Sequence, residues 1–395
     1  MTDVTSASTD EQRVSGLLDE LLSELPPSST KPATFLGAQY DKGLAWVHFP
    51  AGNGGLGLSP KLQKTINERV FAAGGPNPVA RNPIGHGMCG PTVVVWGSDA
   101  QKQRYLRPLF TGEEVWCQLF SEPGSGSDLA GLKTRAEADG QGWRLTGQKI
   151  WTSFAHYADF GICLARTDPT AEKHQGLTMF LLNMRQKEVA VRPVPFSNGD
   201  HDFNEVFMDG AWVGPEDVLG QVNGGWKVAI STLMFERGTS NIHIMFRPNA
   251  EKVLALVKQR LADAPATLGN HAARQELARV LTRLKIVELH GLRTLAGVAQ
   301  GAPPGPEGSL VKLLWSETNQ RLAALGLDVL GPAGVLLGGE DEVPDAGWFP
   351  RNWLRSFGNT LEAGSSEILR NIMAERILGL PKDAARAAPV IPAKR

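Results

Sequence analysis

The sequence predicts an α+β protein with an N-terminal helical domain, a central antiparallel β domain and a C-terminal four-helix bundle. Two changes of hydrophobic periodicity support this prediction. Apolar residues have helical spacing up to about residue 115, form short β-prone runs to about residue 224, and return to helical spacing afterwards. The 395 residues, 42% of them apolar, suffice for several packed layers. We therefore expect three domains, covering residues 1–115, 116–224 and 225–395.

The N-terminal domain is predicted to be helical because its apolar residues recur every three to four positions. This spacing is clear in RVSGLLDELLSEL and in KLQKTINERVFAA. A segment rich in proline and glycine, HFPAGNGGLGLSP, separates the two. Such a segment interrupts a helix, so we expect separate helices joined by loops.

The central domain is predicted from six short runs rich in β-branched and aromatic residues. Turn signals such as DGQG and DPTAEKHQG separate these runs, which favours a compact antiparallel sheet. In chain order, the runs are KTRAEAD, WRLTGQKIW, DFGICLARTD, LTMFLLNM, VAVRPVP and NEVFMDGAWV.

The C-terminal domain contains four long amphipathic stretches, a number typical of an antiparallel bundle. They are GWKVAISTLMFERGTSNIHIMF, AARQELARVLTRLKIVELHGLRTLAGVAQ, SLVKLLWSETNQRLAALGLDVL and SSEILRNIMAERILGL.

Charge and cysteine content exclude several classes of function. The formal net charge is −1 and no lysine or arginine tract occurs, so neither nucleic acid nor an anionic membrane is an expected partner. Cys89, Cys117 and Cys163 form no C-x-x-C pair, which argues against a zinc site and a disulfide framework. We predict no metal site. The sequence has no signal-peptide pattern and no long apolar run, so we expect a cytoplasmic protein.

The loop QLFSEPGSGSDLAGLKT, residues 118–134, is the first candidate site. Its glycines allow backbone N–H groups to approach a ligand, and Ser121, Ser125 and Ser127 offer hydroxyl donors to phosphate oxygens. Taken alone, such a loop is more often a plain connector. A dinucleotide-binding βαβ unit is excluded, because antiparallel strands follow the loop instead of a helix.

Together with its neighbours, this loop resembles the acyl-CoA dehydrogenase family of flavoproteins, from about residue 35 to residue 382. The segments that carry the resemblance occur in the family's order. They are LAWVHFPAGNGGLGLS, WGSDAQKQRYLRPLFTGE, QLFSEPGSGSDLAGLKTRA, LTGQKIWTSFA, GGWKVAISTLMFERG and SSEILRNIMAERILGLP. The resemblance implies the acyl-CoA dehydrogenase fold, with FAD bound between the β domain and the bundle. It further implies a role in lipid metabolism such as fatty acid β-oxidation, with oxidation of an acyl-CoA to the trans-2-enoyl-CoA and electron transfer to an electron-transfer flavoprotein.

The resemblance also implies which residues bind FAD. It places Gln118, Phe120 and Ser121 along the isoalloxazine edge, where Ser121 hydrogen-bonds the flavin and tunes its acceptance of hydride. Trp151 is expected against the ring system, although a core aromatic is the alternative without its neighbours. The full set is Gln118, Phe120, Ser121, Gly126, Ser127, Trp151, Thr152, Ser153, Ser365 and Glu367. Ser127, expected at the pyrophosphate, and Arg237 are also expected to contact the substrate.

Removal of the α proton requires a carboxylate base, and the family has two positions for it. One precedes the glycine of the C-terminal motif, where this chain has Ala363, which cannot accept a proton. Glu362 falls one residue early and remains an alternative. The second position, used by the isovaleryl, long-chain and sterol-side-chain branches, matches Glu236. Glu236 follows Ala229 and Leu233 at helical spacing, so it is expected on the apolar side of its helix. A structural ion pair with a neighbouring basic residue is the alternative role for Glu236.

Departures from the family pattern leave assembly and activity open. The stretch VKQRLADAPATLGNHAARQE lacks the Arg-x-x-Phe-Gly motif that reaches a neighbouring subunit's FAD, and Asp328 replaces a usual glutamine. The chain is expected to form a homodimer or homotetramer, or a heterotetramer with a related subunit. An oxidase that uses oxygen, or a non-catalytic subunit that binds FAD or CoA, are the alternative functions.

Overall fold

The structure is a computed structural model that describes residues 9–238, 247–262, 268–299, 305–337 and 344–381. Its contacts divide the chain into two compact units. The first unit comprises Met1–Phe196 and Asp200–Glu236, and the second comprises Ser197–Gly199 and Arg237–Arg395. The division into three domains at residues 115 and 224 therefore stays a prediction.

Helices form the N-terminal part of the first unit, as predicted. A capping box begins α6, in which Ser98 accepts from the backbone of Gln101 and the Gln101 side chain accepts from the backbone of Ser98. Gly112 ends the same helix at φ 72°, a conformation that glycine adopts without steric cost. The helices are α1 (Thr9–Glu24), α2 (Pro32–Asp41), α3 (Leu62–Ala72), α4 (Pro78–Arg81), α5 (Gly90–Trp96) and α6 (Asp99–Thr111).

An eight-stranded sheet completes the first unit, in the order β6-β7-β3-β2-β4-β5-β8, with β1 paired to β4. All six predicted strands are present. The sequence did not predict β1 and β8. The strands are β1 (Trp116–Leu119), β2 (Arg135–Asp139), β3 (Gly142–Ser153), β4 (Phe160–Arg166), β5 (Leu177–Asn183), β6 (Val189–Val194), β7 (Phe203–Val213) and β8 (Val218–Leu219).

The sheet is not purely antiparallel, because β1 runs parallel to β4 over four residue pairs. A single parallel pair, Arg135 with Arg166, also joins β2 to β4. Parallel neighbours need a long connection, and here the glycine loop, β2 and β3 lie between β1 and β4. The pairing places the start of the glycine loop beside the middle of the sheet.

Two hydrophobic cores cover the two faces of the sheet. One core joins the N-terminal helices to a face that includes Trp116, Ile162 and Leu181, all at most 1% exposed. The other contains Leu145, Phe180 and Val206, which are fully buried. Burying large apolar side chains on both faces stabilises the sheet by roughly 1.5–3 kcal/mol per side chain.

Four of the remaining helices coincide with the predicted amphipathic stretches, although the first stretch continues past Gly238 outside the described residues. The sequence did not predict the helices Arg247–Ala262 and Trp348–Ser356. Within the second unit, Val257, Val280, Leu322 and Phe349 contribute to one core formed by four helices. No membrane-crossing helix is found among the residues that the structure describes. The helices are α7 (Gly225–Gly238), α8 (Arg247–Ala262), α9 (Leu268–Ala299), α10 (Glu307–Leu330), α11 (Trp348–Ser356) and α12 (Ser366–Arg376).

Candidate active site

Strand β1 leads the chain into the glycine loop and positions the first three candidate residues. Gln118 is half-buried and pairs with Ile162 of β4. Phe120 is 5% exposed and packs in the core shared with the N-terminal helices. Ser121 is half-buried and its carbonyl accepts from the backbone N–H of Ile150 at 2.9 Å. This hydrogen bond brings the first flavin-binding segment of the prediction beside the second.

The glycine loop is closed by its own backbone. Glu122 and Ser125 exchange backbone hydrogen bonds of 3.0 Å in both directions, and the Ser125 hydroxyl donates to the Asp128 carbonyl. Gly126 and Ser127, by contrast, are exposed. The loop therefore presents these two candidate residues at its outer side.

Gly124 and Gly126 are not needed by the chain itself. Neither has a left-handed φ. Among the residues that the structure describes, a Cβ built at either position would have no neighbour within 4 Å beyond its own chain neighbours. A ligand lying against the loop backbone would explain both glycines, since side chains there would hold it away. The loop thus fits the FAD pyrophosphate that the sequence predicts.

Trp151 lies at an irregularity in β3. The pairing of β3 with β7 shifts register between Lys149 and Thr152, and Trp151 between them has φ 59°. Its side chain is 53% exposed and contacts Phe203 edge-to-face, with ring centroids 6.3 Å apart. Trp151 is therefore not a core aromatic, and flavin contact stays a prediction. A non-glycine residue in this conformation costs about 1–3 kcal/mol and is typical of functional sites.

Thr152 and Ser153 follow Trp151 into regular pairing with β7. Thr152 is 1% exposed, and its hydroxyl has no hydrogen-bond partner among the described residues. Ser153 is half-buried and pairs with Phe203. A buried hydroxyl without a partner costs about 1–3 kcal/mol, so a polar cofactor atom beside this segment would offset that cost.

Glu236 lies on the buried side of α7. Val228, Ala229 and Leu233 pack this helix against the core of the first unit. Glu236 follows Leu233 by three residues and Thr232 by four, so it leaves the helix on the same side. Its side chain is half-buried, in contrast to a solvated surface charge. The side chain of Arg237 lies outside the described part of the structure.

In the second unit, Glu362 belongs to a polar cluster. Its carboxylate accepts from Arg355 at 2.8 Å and from the Asn359 amide at 2.6 Å. Ala363 follows with φ 54°, before Gly364 at φ 98°. These hydrogen bonds give the Glu362 carboxylate a structural role, because it holds the Arg355 and Asn359 side chains together. These contacts argue against the alternative that Glu362 is the base.

A buried lysine holds the loop that carries Ala363. Lys312 of α10 is 1% exposed and donates to the carbonyls of Asn359 at 2.7 Å and Gly364 at 2.8 Å. Asn319 of the same helix donates to the Asn359 side chain at 2.9 Å. The loop is therefore fixed from the bundle side, within the second unit.

Ser365 and Glu367 lie at the start of α12. The Ser365 hydroxyl accepts from the Ile368 backbone and caps the helix, and Glu367 is exposed in its first turn. Hydrogen bonds from its own backbone N–H and from Ser365 lower the pKa of Glu367. The Ser366 hydroxyl is buried without a partner among the described residues. This helix start can receive an anionic or hydroxyl-bearing group such as part of FAD.

Sequence reasoning missed two buried charges next to the candidate residues. Lys149 of β3 and Glu122 of the glycine loop form an ion pair of 2.9 Å, with side chains 0% and 7% exposed. A lysine inside a predicted strand was the available signal. The periodicity of β3 predicts which face a side chain occupies but does not reveal an acid 27 residues away.

Family models match in three parts along the chain. The acyl-CoA dehydrogenase N-terminal domain matches residues 27–113, the middle domain residues 117–211, and the C-terminal domain residues 223–378. These matches confirm the predicted family and fold. Within the described residues no cluster of metal-ligating side chains is found.

Curated relatives and solved structures indicate the same family as the three family models. The chain is 37% identical over 346 residues to acyl-CoA dehydrogenase IpdE1 of Mycobacterium tuberculosis, covering 87% of this chain and 86% of that protein. It is also 37% identical to FadE34 of the same organism, covering 87% of this chain and 45% of that protein.

A solved structure, the Tcur3481-Tcur3483 steroid ACAD, is similar at a TM-score of 0.74 and 26% identity, covering 96% of this chain and 100% of that chain. The ChsE4-ChsE5 complex from Mycobacterium tuberculosis has a TM-score of 0.72 at 24% identity, covering 96% and 100%, which supports the fold. Members of the matched family are FAD-dependent oxidoreductases of lipid metabolism. The chain belongs to the acyl-CoA dehydrogenase family and is a flavoenzyme that dehydrogenates acyl-CoA thioesters.

Proposed function

We propose that Glu236 is the base that removes the α proton of the acyl-CoA substrate. The main support for this proposal is the position of Glu236, which is half-buried on the packed side of α7. The other family position holds Ala363, and Glu362 beside it is paired with Arg355. FAD, when bound, accepts the β hydrogen as hydride. A partly dry environment suits the base, because it brings the proton affinity of a carboxylate closer to that of the activated carbon.

The residues of the first unit supply the surroundings of the flavin in this proposal. Gln118, Phe120 and Ser121 form one side of the site, and Trp151 with Ser153 forms the other. Their support is the hydrogen bond between Ile150 and Ser121 and the outward position of Trp151. Ser127 and Arg237 contact the substrate, and Ser365 and Glu367 contact the far end of FAD.

Anaerobic reduction of the flavin by acyl-CoA tests the base assignment. We expect Glu236→Gln to retain FAD but to slow flavin reduction by at least about 10²-fold, the range for loss of a general base. Glu362→Gln is the matched control and should keep a rate near that of wild type. Near-wild-type reduction in Glu236→Gln, or loss of reduction only in Glu362→Gln, would contradict the proposal.

The substrate proposed is a ring-bearing acyl-CoA, and the electron acceptor is an electron-transfer flavoprotein. The similarity to a solved steroid ACAD supports a bulky substrate. A panel of acyl-CoAs from short-chain to steroid-sized should bleach the flavin fastest at the large end. Rapid hydrogen peroxide formation without an added acceptor would favour the oxidase alternative, and no bleaching by any thioester would favour a non-catalytic subunit.

We also propose that the chain acts in the cytoplasm as one subunit of a heterotetramer. Two of the similar structures carry the names of two different chains, which supports pairing with a related subunit. The missing Arg-x-x-Phe-Gly motif agrees with this assembly. Native mass spectrometry of the chain expressed alone is the test, since an FAD-loaded homodimer or homotetramer would rule out obligate pairing.

A further inference from the structure

A fully buried ion pair lies between the two flavin-binding segments of the first unit. The Lys149 ammonium is 2.9 Å from Glu122 Oε1, and the two side chains are 0% and 7% exposed. Burying two charges is costly even when they pair, and an apolar pair of similar volume is often equally stable. Stability alone therefore does not explain these two residues.

Lys149 connects β3 to the start of the glycine loop and to β4. Besides Glu122, its ammonium donates to the carbonyl of Phe120 at 3.1 Å and to that of Leu164 at 2.8 Å. An ammonium has three N–H donors, so these contacts satisfy it completely. The segment that begins with Phe120 is thereby fixed to β3 and β4.

Glu122 connects the two ends of the glycine loop. Its carboxylate accepts from the backbone N–H of Lys133 at 2.6 Å and from that of Thr134 at 2.9 Å. Burial raises the pKa of Glu122, but the Lys149 charge and these hydrogen bonds outweigh it, so the net pKa is lowered. The carboxylate is therefore ionised at neutral pH and holds the loop between residues 122 and 134 closed.

Lys149 also immediately precedes the irregular part of β3. Ile150 donates its backbone N–H to Ser121, and Trp151 takes the left-handed conformation that turns its side chain outward. Such a conformation persists only when its surroundings hold it in place. The inward Lys149 side chain is the anchor next to that turn.

We propose that Lys149 and Glu122 form a positioning pair for FAD. The pair touches neither the cofactor nor the substrate. It holds Phe120 and Ser121 against the Trp151–Ser153 segment and keeps the glycine loop closed, so that the site is formed before FAD arrives. Preorganisation of this kind increases affinity because less ordering is left to occur on binding. The inference rests on the proposed assignment of these segments to FAD, but not on the identity of the base.

The experiment compares FAD binding with folding. Lys149→Met, Glu122→Gln and the double variant are titrated as apoproteins with FAD, and thermal midpoints are measured with and without FAD. The matched control is Asp128→Asn in the glycine loop, which breaks an exposed ion pair with Lys173 of the β4–β5 connection. This pair is 2.7 Å long, and its side chains are 65% exposed for Asp128 and 61% for Lys173. This control should bind FAD like wild type.

We expect the apo double variant to unfold within about 3 °C of the wild-type apoprotein, because both buried charges are removed together. Its Kd for FAD should nevertheless rise by about tenfold or more, and the visible circular dichroism of bound flavin should change. A double variant with wild-type Kd and flavin spectrum would overturn the proposal and leave the pair a purely structural one.

If the double variant does not fold, the Kd of Glu122→Gln for FAD is the measurement that tests the positioning role. In that variant the amide oxygen of the substituted side chain can still accept from the Lys149 ammonium, which also keeps its two carbonyl acceptors. A Kd for FAD raised several-fold supports the positioning role, and an unchanged Kd contradicts it. These readouts are independent of turnover, so they separate this inference from the base assignment of Glu236.

Discussion

Thr92 Oγ1 and Thr232 Oγ1 lie 3.0 Å apart and join helix α5 to helix α7 in the core of the first unit. Both residues are fully buried. Each hydroxyl also contacts the carbonyl four residues earlier in its own helix, at 2.7 Å for Thr92 and 2.9 Å for Thr232. Because Thr232 precedes Glu236 by one helical turn, this contact fixes the rotation of the helix that carries the proposed base.

Valine substitutions should reveal coupling between the two threonines. We expect Thr92→Val and Thr232→Val each to lower the free energy of unfolding by about 1 kcal/mol, since each leaves a buried hydroxyl with one partner fewer. Thr92→Val/Thr232→Val should cost about 0.5–1 kcal/mol less than the sum, because no hydroxyl is then left behind. Urea unfolding of the four proteins measures this. Strict additivity would mean that the contact contributes nothing.

Ala363→Gly should stabilise the protein, because alanine at φ 54° is in a region that glycine enters without a Cβ clash. The expected gain is about 0.5–1 kcal/mol in the free energy of unfolding, because the roughly 1–2 kcal/mol cost of a Cβ in this region exceeds the roughly 0.5–1 kcal/mol entropic cost of glycine. Ala278→Gly, at an exposed position inside α9, is the matched control and should lose about 1 kcal/mol. If both changes destabilise equally, the left-handed conformation of Ala363 carries no strain.

His86 should make the protein sensitive to acid. Burial lowers the pKa of His86 from 6.5 to about 4, and the ring packs against Trp46 at 4.8 Å and Phe110 at 5.3 Å. Between these two pH values the unfolded chain binds the additional proton. His86 therefore costs no stability above about pH 6.5, and an increasing penalty develops as the pH falls towards 4.

Urea unfolding at several pH values measures this penalty. The loss of unfolding free energy between about pH 7 and about pH 4.5 should be roughly 2 kcal/mol smaller in His86→Gln than in wild type. His201→Gln, which changes an exposed histidine, is the control and should follow the wild-type curve. Parallel curves for wild type and His86→Gln would show that the ring is not held in its neutral form.

Local patterns were sufficient for much of this protein. The β-prone composition of WRLTGQKIW and LTMFLLNM predicted β3 and β5, and the helical spacing of SSEILRNIMAERILGL predicted α12. These predictions succeeded because strand propensity depends on residue type and one face of a helix repeats every 3.6 residues, so both signals occur within a short stretch of sequence. Strand β8 was missed because two residues are too few to show any period.

The tertiary structure decided which distant residues meet. The sequence alone determined the succession of a helical, a β and a second helical region, the family, and the choice of candidates from Gln118 to Glu367, because these depend on local composition and motif. Only folding paired β1 with β4 in parallel, turned Trp151 outward, engaged Glu362 with Arg355 and buried Lys149 against Glu122. Those contacts depend on the path of the whole chain and on the strong cost of leaving a buried charge unpaired. Neither can be predicted from the periodicity of a short stretch of sequence.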